Sequence, residues 1–126
     1  LEALRGGRVA LGVMVRGSGA RGEVDTCWAL YGGVERDAYI ASLGAQTGPV
    51  HFKDINADYR TRNPEAIDVP VGGGILDFER IARTLARAGR LEAGLIVEQE
   101  AYAGDVQADI AASCAHIRAL LARLGA

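Results

Sequence analysis

Gly48-Pro49-Val50-His51-Phe52-Lys53-Asp54-Ile55 is apolar at its start and polar at its end, as a parallel strand reads when its C-terminal end faces an open rim. Downstream, Gly94-Leu95-Ile96-Val97-Glu98-Gln99-Glu100 repeats the pattern, and its continuous apolar run predicts a strand buried on both faces. Upstream, Gly22 to Trp28 reads as a third strand. An amphipathic segment follows each one. The first helix is predicted from about Val34 to Leu43, closed by Gly44. The second starts at Asp77 as N-cap, sets Phe78, Ile81, Ala82 and Leu85 on one face, and stops at Gly89. The third runs from about Asp105 to Leu124, with Val106, Ile110, Cys114, Ile117, Leu121 and Leu124 on one stripe. This alternation is that of βα units on a parallel sheet.

The remaining segments are less regular. Val9 to Val15 has the composition of a strand but runs into the linker-like Arg16-Gly17-Ser18-Gly19-Ala20-Arg21-Gly22, so residues 1–22 are set apart from the βα pattern of 23–126. Asn56 to Gly74 reads as a long loop, a length that suggests function. Its triplet Gly72-Gly73-Gly74 would let backbone N–H groups approach an anion, although a turn into a capped helix is the commoner use of such glycines.

Composition narrows the function. With 126 residues, 49% hydrophobic and 24% charged, the chain suits one globular domain. Its net charge of -2 offers no basic footprint for nucleic acid. No apolar run is long enough for a membrane span. Cys27 and Cys114 lack CxxC spacing, which favours reduced thiols and a cytoplasmic setting. The start at Leu1, without a signal-like stretch, reads as the start of an excised piece.

Asp25, His51 and Glu98 each fall late in a predicted strand. On neighbouring strands they would converge at one rim, and two carboxylates with one imidazole suit a divalent Mn, Co, Mg or Zn ion. Singly, each has an ordinary reading: a strand-end carboxylate on backbone N–H groups, a buried neutral histidine, a salt-bridge partner. Lys53 shares the face of His51 by strand alternation and is a candidate for stabilising oxyanion charge, or else a solvated rim cation. Arg60 and Arg62, in the long loop, are candidates for substrate contact.

Asp25-Thr26-Cys27-Trp28 with Gly32-Gly33, then Val50-His51-Phe52-Lys53-Asp54, then Val71-Gly72-Gly73-Gly74-Ile75-Leu76-Asp77-Phe78, then Ile96-Val97-Glu98-Gln99-Glu100, taken in this order, resemble the sugar phosphate isomerase/epimerase family. The resemblance covers about residues 23–126. It implies a partial xylose isomerase-like (β/α)8 TIM barrel, the last three βα units, in which Asp25, His51 and Glu98 are metal ligands and Glu98 is also catalytic in proton transfer; Lys53, by its place on the face of His51, is the second catalytic candidate. A fourth ligand, a glutamate of an earlier strand, is not in this chain, so the chain alone is expected to be inactive. Trp28 stands where ketohexose 3-epimerase relatives carry a substrate-binding histidine, and is a candidate wall over the sugar ring or a core filler. The implied activity of the intact protein is metal-dependent isomerisation or epimerisation of a sugar, sugar phosphate or polyol through an enediolate, with inosose dehydration as a variant. A noncatalytic partial barrel, binding a missing barrel half or a second copy through its sheet edges, is the alternative.

Overall fold

A computed structural model of the chain describes residues 4–5, 8–61, 67–102 and 104–125. Leu4–Arg5 (β1) and Arg8–Val9 (β2) pair antiparallel and lead into a helix, Ala10–Ser18 (α1). The strand reading of Val9 to Val15 therefore fails, as does a linker starting at Arg16. Helical spacing lets Val15 enter the core with Leu11 packed beside it, and Gly12 lies so near the Tyr39 ring that an added Cβ would stand 3.1 Å away. Gln46 Nε2 donates to Val15 O at 3.0 Å, adding a tertiary partner to a helix-end carbonyl that also accepts the Gly19 N–H at 3.2 Å.

Gly22–Asp25 (β3), Thr47–Phe52 (β4) and, much later, Leu95–Val97 form a three-stranded parallel sheet with β4 in the centre. Between the last two, Asp54–Ile55 (β5) pairs antiparallel with Asp68–Val69 (β6), which makes Leu95–Val97 β7. The helices are Thr26–Tyr31 (α2), Arg36–Leu43 (α3), Phe78–Arg87 (α4) and Val106–Leu124 (α5). The fold is thus mixed α/β, its parallel strands followed by helices as the alternating pattern predicts. Val24, Val50 and Phe52 are buried on the helix side, where the Phe52 and Phe78 rings lie 5.0 Å apart.

Several boundaries differ from the sequence reading, each for a local reason. The first strand stops at Asp25 instead of Trp28, because Asp25 accepts the Trp28 N–H at 2.8 Å and caps α2. The second stops at Phe52, since Asp54 and Ile55 turn away to pair with β6, and this hairpin organises a stretch that reads as plain loop. The third is only Leu95–Val97 and is not buried on both faces: Ile96 is 39% exposed at a sheet edge. In α5 the buried line is Ser113, Ile117 and Leu120; Val106 is exposed, while Leu121 and Leu124 are partly buried against the core. Ser113 joins that line because its hydroxyl accepts the N–H of Val71, in the loop after β6, at 2.9 Å. In α4, Asp77 caps by accepting the Arg80 N–H, and the predicted apolar face is buried.

The glycine-rich loop already has its anion. The fully buried Asp54 carboxylate accepts N–H groups from Ile55, Gly72, Gly74 and Leu76, at 2.9, 2.9, 2.9 and 3.1 Å. Glycine is required for this closeness, since a Cβ on Gly74 would collide with the Asp54 carboxylate, and Gly72 (φ +90°) is pressed against the His116 ring. Two of the N–H groups that a phosphate would need are therefore taken. Asp54→Ala strands these donors, those of Ile55 and Leu76 in the interior, and is expected to lower stability by about 3 kcal/mol, read as a fall in the urea midpoint; an unchanged midpoint would contradict the assigned role.

Candidate metal centre

Asp25 ends β3, His51 is the penultimate residue of β4, and Glu98 directly follows β7. Asp25 pairs with His51 and His51 with Ile96 across the sheet, and the Glu98 N–H still donates to Phe52 O at 3.2 Å. Because Val24, Val50 and Phe52 face the helices, strand alternation sends Asp25 and His51 to the other face. One donor atom from each of Asp25, His51 and Glu98 lies within 4.8 Å of the others, all three side chains being half-buried. This is the grouping expected from the sequence.

Thr26 fixes the strand ends beneath the cluster. Its hydroxyl, fully buried, lies 3.0 Å from His51 O and 2.8 Å from Lys53 O, and accepts the Lys53 N–H at 3.0 Å. Beyond Asp25 the Thr26 side chain thus replaces the strand ladder, so the chain starts a helix without releasing β4.

His51 stands between two carboxylates: Nδ1 contacts Glu98 Oε2, and Nε2 lies 3.1 Å from Glu23 Oε1. Lys53 is no rim cation, being 0% exposed. Its Nζ forms an ion pair with Glu100 Oε2 at 2.7 Å and stands 3.8 Å from both Asp68 Oδ2 and Glu98 Oε1. The Trp28 ring covers it at 4.8 Å. Burial alone would lower the Lys53 pKa, but Glu100, Asp68 and Asp25 outweigh burial and hold it above 10.5. Lys53 is accordingly a fixed cation and not a base at neutral pH. Burial would likewise raise the Glu98 carboxyl, yet the hydrogen bond and charge of His51, with Lys53 beside them, bring it below its ordinary 4.5. Cys27 is pushed up to about 12, by burial first and by the negative charge of Asp25 next, which leaves a thiol with no nucleophilic character.

The other predicted residues fall apart from the cluster. Arg60 is exposed and lies over the Tyr59 ring at 4.9 Å; Tyr59 is in turn linked to Trp28 by the aromatic contacts Tyr59–Tyr31 and Tyr31–Trp28, at 6.1 and 5.5 Å. Arg62 lies outside the described residues. Glu23, Asp68 and Glu100 are additions that the sequence reading misses. Glu23 was discoverable, standing two residues before Asp25 on one strand and therefore on the same face; Asp68 is brought in by the β5–β6 pairing, which leaves no local signal. Both cysteines are free, and among the described residues no helix is long and apolar enough to cross a membrane. Comparison with known protein families and with curated proteins returns no match.

A carboxylate whose folded-state pKa is depressed adds stability above its unfolded pKa and loses it as pH falls through the folded one. Glu98 is therefore expected to contribute stability at pH 5 and above, fading as pH falls below 4.5. Thermal melts from pH 7 to pH 3 should show a shallower acid decline in Glu98→Gln than in the wild type; parallel declines would remove Glu98 from the linkage.

Proposed function

We propose that this chain carries three ligands of a divalent-metal site, and that in the intact protein the site serves isomerisation or epimerisation of a sugar or related polyol. The observation that carries the reading is the convergence of Asp25, His51 and Glu98 from three adjacent parallel strands to within 4.8 Å. Two oxygen donors and one nitrogen suit Mn²⁺, Co²⁺, Mg²⁺ or Zn²⁺. The order of the Asp25, His51-Phe52-Lys53-Asp54, Gly72-Gly73-Gly74 and Glu98-Gln99 motifs supports the resemblance to sugar phosphate isomerases and epimerases, and with it the reading of the sheet as an arc of a (β/α)8 barrel.

Asp25, His51 and Glu98 would hold the ion. Such an ion supplies Lewis-acid stabilisation of the negative charge that develops on a substrate carbonyl and its neighbouring hydroxyl as an enediolate forms. Glu98, favoured as the anion, suits ligation first and accepts a carbon-bound proton only from a substrate already acidified. Lys53 neutralises Glu98, Glu100 and Asp68 from behind, which keeps these carboxylates close together. Trp28 shields that cation from water and supplies an apolar surface beside the cluster. Return of the proton to the adjacent carbon gives isomerisation, return to the opposite face gives epimerisation, and loss of a hydroxyl gives dehydration.

Calorimetric titration with Mn²⁺ and Co²⁺ tests the site directly. The wild-type chain is expected to bind one ion, and Asp25→Ala, His51→Ala and Glu98→Ala are each expected to weaken binding by more than about 100-fold, beyond the range of outer-shell substitutions. No binding by a folded wild-type chain would overturn the metal reading and leave the exposed β7 edge, with Ile96 on it, as grounds for a noncatalytic interaction module.

A further inference from the structure

Resting on the metal reading, we infer that Glu23 is a positioning residue for His51, selecting which imidazole nitrogen faces the ion. The two ring nitrogens of His51 are committed to different neighbours. Nδ1 contacts Glu98, a member of the converging set, whereas Nε2 lies 3.1 Å from Glu23 Oε1. The nitrogens of an imidazole diverge from the ring, so one ion held at Nδ1 is out of reach of a group on Nε2. Glu23 is therefore a hydrogen-bond acceptor behind the ring and not a fourth ligand. A ligating histidine carries its remaining proton on the other nitrogen, and an acceptor there fixes both tautomer and ring orientation. The backbone sets Glu23 in this place, because it stands two residues before Asp25 in β3, on the same sheet face, while the Asp25 to His51 pairing brings the imidazole beside it. The Glu23 side chain is 61% exposed and contributes nothing to the core, so its substitution is expected to leave the metal-free fold intact.

Calorimetry with Co²⁺ on the whole chain, together with the visible absorption of the bound ion, separates the possibilities. Glu23→Ala is expected to weaken Co²⁺ binding about 10–100-fold, with band intensity and hence coordination number as in the wild type and with an unchanged melting temperature of the metal-free chain. Glu23→Gln keeps an acceptor oxygen at the same reach and should fall between wild type and Glu23→Ala. Wild-type affinity in Glu23→Ala would overturn the inference. So would an altered Co²⁺ band in that variant, which would make Glu23 a direct ligand, or a Glu23→Gln loss as large as that of Glu23→Ala. Absence of Co²⁺ binding by the wild-type chain would remove the metal reading and this inference together, an outcome distinct from equal binding by wild type and variant.

Discussion

The geometry of the cluster depends on the Thr26 hydroxyl. Parallel strands hold their spacing through a ladder of backbone hydrogen bonds, and at Asp25 that ladder ends because the chain turns into α2. Thr26 takes over, pairing with the backbone at His51 and Lys53 from a fully buried position. One hydroxyl thereby fixes where a helix begins, where a neighbouring strand ends and how far apart Asp25 and His51 stand. Asp25 adds to this by capping the same helix. The carboxylate that faces the cluster is thus also anchored by the helix it starts.

Charge is arranged in layers around this frame. Two carboxylates flank His51, and three flank Lys53, with Glu98 common to both groups. Glu98 therefore feels a cation on one side and an imidazole on the other, and its proton affinity falls despite partial burial. Lys53 gains nothing from water, being wholly buried beneath Trp28; its charge is retained because the surrounding acids offset the cost of desolvation. Removing Lys53 would leave Asp68, Glu98 and Glu100 facing one another without a cation, so the cluster is coupled and not a sum of independent pairs.

Strand and helix periodicity were legible where a segment's fate was decided locally. The α4 face of Phe78, Ile81, Ala82 and Leu85, with Asp77 as cap, stands as the sequence implies, and so does the placement of Asp25, His51 and Glu98 at strand ends. What was not legible was decided by distant partners. Leu11 and Val15 look like strand residues until Tyr39, Leu43 and Gln46 are present to receive a helix. Ser113 of α5 reads as a surface residue until the Val71 N–H needs an acceptor, and the buried line of the helix shifts accordingly. Lys53 reads as a rim charge because Asp68 lies 15 residues further along and arrives only through the β5–β6 pairing.

Asp54 behaves towards the Gly72–Gly74 loop as a permanently tethered ligand. Loops of closely approaching N–H groups commonly become ordered when a free anion arrives, so that their closure depends on solute concentration. Here the anion belongs to the chain, and its effective concentration is set by the fold itself. The loop is consequently ordered by a group of its own chain, and the same contacts seat Gly72 against His116 and bring Leu76 to the start of α4.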